Sequence, residues 1–269
     1  MPYQRITSVA NAHIRELIRI KSGPSADAFF IEGPHLINAA LDAAVSVREV
    51  FFTAPFASSA EGEGLLLSLE KKTGRIFEVS DQVLKKLSDT EAPQGIIGLA
   101  AQPAVKLIQL SPGESPLIVI IDGVQDPGNL GTIIRIADAA AADVVIVLPG
   151  SCEPYMPKVV RATAGSLFNI PVIRERTDAC LSWLRAKEIA LAVTAAGGSR
   201  SIFAVPLTGP LAFAFGSEAR GVSPHLREAA DFSLSIPIYG RAESLNVAAA
   251  AAVCLYEAAR QRRTPEHTA

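Results

Sequence analysis

Three stretches carry polar side chains where apolar text would otherwise run on. "DGVQDPGNLGTIIRIADAA" (122–140) holds Asn129 and Arg135. "LAFAFGSEARGVSP" (211–224) holds Glu218 between Gly216 and Gly221. "IPIYGRAESLNVAAAAAVCLYEAARQRR" (236–263) holds Ser244 and Asn246 ahead of an alanine-rich helix. In the first, Gly128 and Gly131 permit a tight turn and close backbone approach, and Asn129 is a helix-capping type. A capped helix with one surface arginine accounts for it equally well. A dinucleotide fingerprint does not, because G-x-G-x-x-G is absent. In the second, glycines around one carboxylate at a strand end suit a backbone that wraps a ligand, or an ordinary turn with an exposed glutamate. In the third, Ser244 reads as the N-cap, Val247 takes the capping-box position, and Leu245 and Asn246 fall in the first turn. A buried helix explains the alanines but leaves the Asn246 amide in need of partners.

The elements that must hold these loops follow from hydrophobic rhythm. Residues 117–269 contain short, almost continuously apolar strands: "LIVIID", "DVVIVL", "NIPVI", "IALAVTA", "LAFAFG" and "FSLSIP". Such runs suit strands covered on both faces. Helical stretches at 129–141, 156–167, 178–187, 223–230 and 244–262 separate them, which predicts an α/β domain with a mostly parallel sheet. Ligands of such sheets bind beyond the carboxyl ends of the strands, where the three polar stretches fall. Residues 1–105 read as a smaller α/β domain. Its helices are "NAHIRELIRI", "PHLINAALDAA", "EGEGLLLSLEKKTG" closed by Gly74, and "DQVLKKLSD"; its strands are "AFFIEG", "VREVFFTA", "RIFEVS" and "GIIGLAA". Between the two, residues 106–116, with Pro112, Gly113 and Pro116, read as a linker.

Composition removes several classes. Of 269 residues, 49% are hydrophobic and 19% charged, which suits a sizeable core and not a disordered chain. Cys152, Cys180 and Cys254 are far apart and odd in number, and the four histidines show no metal-ligand spacing. A disulfide framework and a metal site are therefore not expected, and a reducing cytoplasm fits. The N-terminal text lacks the apolar core of a signal peptide and no apolar run reaches membrane-spanning length. The formal net charge of −2 means that any nucleic-acid contact must come from local basic patches.

Together, "DPGNLGTIIRIADAA", "FGSEARGVSP" and "SIPIYGRAESLNVAAAAAVCLYEAARQ" resemble the three motifs of the SpoU (TrmH) class of RNA 2′-O-methyltransferases, in the SPOUT superfamily. "YMPKVVRATAGSLFNIPV" fits the family between the motifs, so the resemblance spans about 117–263. "NAHIRELIRIKS", "AFFIEGPHLINAALDA" and "EAPQGIIGLAA" resemble the RNA substrate-binding domain, similar to small ribosomal RNA-binding proteins, that precedes the catalytic domain in many members. The resemblance implies a deep C-terminal trefoil knot, a homodimer in which the last helix packs, S-adenosylmethionine (AdoMet) bent in the knot cleft, and methyl transfer to a ribose 2′-hydroxyl. Ribosomal RNA is the expected substrate. Transfer RNA, a role in antibiotic self-resistance, base methylation and a non-catalytic RNA-binding protein stand as alternatives, with a nucleotide-dependent oxidoreductase as the general α/β one.

Residue by residue, Arg135 matches the family's catalytic arginine. It would either accept the hydroxyl proton in a perturbed state or stabilise the developing alkoxide while holding the adjacent phosphate. The second suits a guanidinium better. Asn129 and Glu218 match the residues that position and orient, and Ser244 and Asn246 the third-motif pair. Gly216, Ile236 and Leu245, with Asn246, match the surroundings of AdoMet. Thr194 opens the loop "TAAGGS" (194–199), expected to face the cofactor. Arg5, Arg15, Arg19 and Lys21, with Lys158 and Arg161 near the cleft, are the expected RNA-binding residues. The second motif reads "GSEARG" where G-N-E-G-x-G is common, and Glu153 and Met156 stand where Asp and Asn are common. These departures bear on substrate choice.

Overall fold

The computed structural model describes residues 3–22, 27–195 and 198–263, and the chain falls into two compact units. The first comprises residues 1–104 together with Tyr155–Phe168. It contains β1 (Gln4–Ile6), α1 (Ala12–Ser22), β2 (Ala28–Glu32), α2 (Pro34–Asp42), β3 (Val47–Phe52), α3 (Ala54–Ala57), α4 (Ala60–Glu70), β4 (Ile76–Val79), α5 (Asp81–Leu87) and β5 (Ile96–Ala101). The strands form a mixed sheet in the order β1-β4-β3-β5-β2. One core gathers Ile14 and Leu17 of α1, Val83, Leu84 and Leu87 of α5, and Phe30, Phe51 and Ile97 of the sheet. Serine hydroxyls start two of the helices. Ser59 accepts from Gly62 N–H and Ser80 from Val83 N–H. Helix α4 ends a turn before Gly74, because the N–H groups of Lys72 and Thr73 both bond Leu69 O at 2.8 Å and close it there. The segment Tyr155–Phe168 brings the short helix Pro157–Ala162 onto β2, with Tyr155 and Phe168 against Phe29.

The second unit comprises Val105–Pro154 and 169–269. Its elements are β6 (Leu117–Asp122), α6 (Pro127–Ala139), β7 (Val144–Val147), β8 (Val172–Arg174), α8 (Thr177–Ala186), β9 (Ala190–Thr194), β10 (Arg200–Ser201), β11 (Leu211–Gly216), α9 (Pro224–Ala229), β12 (Phe232–Ser235) and α10 (Val247–Arg262); Pro157–Ala162 is α7. The strands form one sheet in the order β10-β12-β9-β11-β6-β7-β8, and every neighbouring pair is parallel. Strands β6, β7 and β11 are buried along their whole length, which is why they read as unbroken apolar runs. Side chains of β6 alternate between faces. Ile118 and Ile120 join a core with Trp183 and Leu184 of α8 and Leu226 of α9. Elsewhere in the unit α6 packs against α10, and α10 reaches β11. Because β6 leads outward through β7 to β8 on one side, and β9, β11 and β12 fill the other, the chain reverses its direction of travel beside β6. Crevices beyond strand ends form at such a reversal.

The candidate active site

The loops after β6 and β11 and the entry to α10 converge at the carboxyl ends of the central strands. Strand β6 ends at Asp122, level with Gly216 at the end of β11. The buried Asp122 carboxylate accepts from Ser223 N–H at 2.6 Å and so fastens the Glu218 loop to β6. That loop pinches itself closed. Ser217 and Gly221 exchange backbone hydrogen bonds of 3.1 and 2.8 Å, with Gly221 at φ +67°. Gly216 lies under this pinch. A Cβ there would stand 2.0 Å from the Gly221 carbonyl carbon, so no other residue fits without moving backbone.

Helix α6 begins at Pro127, whose ring presets the first helical φ and whose missing N–H costs nothing there. Asp126 is therefore the N-cap, its Oδ1 accepting from Asn129 N–H at 2.8 Å. The sequence reading gave the cap to Asn129, and Gly128 and Gly131 a tight turn. Instead both glycines lie within α6, and the positive φ belongs to Gly123, at +76°. The Asn129 side chain is thereby free. Its Nδ2 donates to Glu218 Oε1 at 2.5 Å and its Oδ1 accepts from Asn246 Nδ2 at 3.1 Å. Asn246, not Ser244, is the N-cap of α10, with Oδ1 accepting from the N–H groups of Ala248 and Ala249. An amide can cap with its oxygen and still donate from its nitrogen to a second group. One hydrogen-bonded line, Asn246 to Asn129 to Glu218, joins all three polar stretches.

Beside this line opens a cavity of about 440 Å³. Thr194, Gly216, Glu218, Ile236, Ser244, Leu245 and Asn246, all singled out from the sequence, lie on its wall. Sequence reasoning missed Leu234, Ile238 and Ala250, whose apolar types carry no signal beyond core. Ile236 lies just past β12, which ends at Ser235 and not at the expected proline. Of the loop 194–199, Ala196 and Gly197 lie outside the described residues. Arg135 is on the exposed side of α6, has no side-chain partner among the described residues, and does not line the cavity. No group of three His, Cys, Asp or Glu that could hold a metal occurs among the described residues. Burial pushes the Cys180 and Cys254 thiols up to about 12, so neither is a nucleophile at neutral pH.

Residues 116–256 match the SpoU rRNA Methylase family. The chain belongs to that family. Residues 13–98 match the MRM3-like substrate binding domain. Among SpoU relatives, the 23S rRNA (guanosine(2553)-2′-O)-methyltransferase RlmP of Bacillus subtilis (strain 168) is 32% identical, over 94% of this chain and 98% of its own. The 23S rRNA (uridine(2479)-2′-O)-methyltransferase of Streptomyces viridochromogenes is 33% identical, over 87% and 83%. The crystal structure of the SpoU methyltransferase AviRb from Streptomyces viridochromogenes in complex with AdoMet superposes with a TM-score of 0.87, at 31% identity, over 94% of this chain and 98% of that one.

The expected RNA-binding residues divide. Arg15, Arg19 and Lys158 are exposed and unpaired among the described residues. The other three are engaged in ion pairs within the first unit. Arg5 pairs with Glu78 at 3.2 Å. Lys21 donates to Ser88 O and lies 3.7 Å from Asp89. Arg161 meets Asp89 at 3.2 Å and the largely buried Glu32 at 3.6 Å. The last two hold α1 and α7 to the turn after α5. Their carboxylate partners compete with any phosphate.

Proposed function

We propose that this chain transfers a methyl group from AdoMet to a ribose 2′-hydroxyl of large-subunit ribosomal RNA. The observation that carries the reading is the line Asn246–Asn129–Glu218, drawn from three distant stretches, at the mouth of a cavity with largely apolar walls. The cavity fits the cofactor. Ile236, Ile238 and Leu245 would offer apolar walls to an adenine, Thr194 and the Gly216 backbone would offer polar partners to a ribose, and the absent Cβ of Gly216 would permit close approach. When bound, AdoMet supplies a methyl group on a sulfonium, an electrophile whose positive charge is lost on transfer. The chain's own part is placement, which supplies much of such an acceleration. Asn129 and Glu218 fix the acceptor side, and Ser244 and Asn246 stand between that side and the cofactor wall. Arg135, exposed and unpaired among the described residues, is available to hold a phosphate with two of its guanidinium nitrogens and to stabilise the alkoxide as the hydroxyl loses its proton. The relatives named above act on 23S rRNA, and the 13–98 match supports the first unit as the RNA-holding part. The same reading includes the trefoil knot and the homodimer. It is supported by the long irregular segment from Ile236 to Asn246 and by the exposed Ala249 and Tyr256 on α10.

The test is tritium transfer from labelled AdoMet to an unmodified large-subunit rRNA transcript, followed by nucleoside mass spectrometry. A 2′-O-methylated nucleoside is expected. A methylated base, or no transfer by folded protein that binds AdoMet, would overturn the reading. Arg135→Lys keeps the charge but loses the fork, and its turnover should fall roughly 100-fold or more. Near-parental turnover would remove Arg135 from the chemistry.

A further inference from the structure

A second cavity of about 440 Å³ lies beyond the ends of β7 and β8, and nothing in the cofactor site uses it. Gly150, Cys152, Glu153, Arg174, Glu175 and Arg176 line it. The loop after β7 that forms its floor is stitched to the loop after β6. Gly123 N–H donates to Ser151 Oγ and Cys152 N–H to Val124 O, both at 2.9 Å. The cavity therefore shares its support with the segment that leads into Asp126 and Asn129. Cys152 reports the same proximity. Its thiol is pushed up to about 11, first by burial and then by the charges of Asp126, Glu153 and Glu218.

The chemistry of the rim is specific. Two guanidinium groups face two carboxylates, so the rim is formally neutral. A phosphate site would be net positive. Arg174 Nη1 donates to Glu153 Oε2 at 2.5 Å, and with side chains 41% and 50% exposed the pair presents its other polar atoms, Glu153 Oε1 and Arg174 Nη2, on one open edge. Guanine is the base that matches both. Its N1–H and N2–H are adjacent donors for one carboxylate, and its O6 and N7 are adjacent acceptors for one guanidinium. Uracil offers a single N–H between two carbonyls, and adenine lacks the N1–H. Arg176 also lines the rim, with its exposed guanidinium 3.9 Å from the Asp178 carboxylate, and would meet the adjoining part of the nucleotide.

We propose that this cavity receives the base of the nucleotide whose ribose is methylated, and that Glu153 and Arg174 select guanine there. The proposal rests on the ribose-methylation reading for its biological sense, but its test stands apart. Guanosine, inosine and uridine 5′-monophosphates and inorganic phosphate are titrated into the isotopically labelled full chain and followed by amide NMR. Guanosine monophosphate should shift signals of residues 150–153 and 174–176 and bind about tenfold tighter than inosine monophosphate, which lacks the N2 amine. Glu153→Gln and Arg174→Ala, both at exposed positions, should abolish that preference while AdoMet affinity stays at the parental value. Glu153→Gln should also raise KM for the rRNA transcript about tenfold. Shifts confined to the residues of the cofactor cavity, equal binding of uridine monophosphate, or the same shifts with phosphate alone would each overturn the proposal. So would parental KM in both variants. If the parent binds guanosine monophosphate here yet methylates no RNA, the function reading fails and the cavity stands as a guanine site alone.

Discussion

Asn129 shows how little of a residue's task its type reveals. In sequence it is a capping residue near a helix start. In the structure the preceding Asp-Pro pair takes that task, and the freed amide spans the other two motifs. The signal was present, since Pro127 at the first helical position makes Asp126 the natural cap. What no local rule supplies is the partners, 89 and 117 residues further along the chain. Asn129→Ala removes both bonds and leaves the Glu218 carboxylate without its donor. Turnover should fall roughly 100-fold, the scale on which small misplacements act. AdoMet affinity, set by the far wall of the cavity, should hold. A fall in AdoMet affinity with turnover per bound complex unchanged would assign Asn129 to the cofactor instead.

Helix α10 is tied at both ends, and for different reasons. At its start the Asn246 amide caps two N–H groups. Its last turns are anchored by side chains. Glu257 accepts from Arg260 Nε and Nη2 and from Gln261 Nε2 at 2.7–2.8 Å. Gln261 bonds the backbone at Val205 and Leu207, and Arg262 donates to the carbonyls of Leu207, Gly209 and Ser115. The alanine run was legible as a covered helix. These anchors were not, because Glu, Arg and Gln at a helix end read as ordinary surface. Hydrogen bonds from Arg260 and Gln261 hold the Glu257 carboxyl down at about 2, below its ordinary 4.5. Its contribution is therefore complete above pH 4.5 and disappears as pH falls toward 2. Glu257→Gln should cost about 1 kcal/mol at pH 7, modest because the Arg260 side chain faces solvent. In urea titrations the difference from the parent should shrink between pH 4.5 and 2. A constant difference across that range would mean that the carboxylate's charge is not what stabilises the end of α10.

At the scale of the molecule, continuous apolar strands were readable because a sheet covered on both faces needs no polar alternation. Strand order was not, since six similar runs carry no mark of who neighbours whom. Nor was the return of Tyr155–Phe168 to the first unit, because α7 reads like any helix after a strand and its partner surface on β2 is distant in sequence. What covers the outer side of α10 belongs to the same scale. Ala251, Cys254, Leu255 and Ala258 are buried within the chain, whereas Ala249 and Tyr256, two turns apart, are exposed, with Tyr256 at 54%. A helix with apolar residues on both sides suits a second copy of the chain better than water, because helices apolar all round are covered ones. Placing a charge at the centre of that face should weaken self-association and leave the fold alone. Tyr256→Glu is expected to convert a dimer at micromolar concentration into monomer by sedimentation velocity, with unchanged circular dichroism. The loss should be on the order of 100-fold in dimer affinity, as for a buried aromatic anchor. A parent chain that sediments as a monomer at tens of micromolar (well above the range in which a stable dimer persists) would remove the homodimer from the proposed function and leave the active-site assignment to stand on one chain.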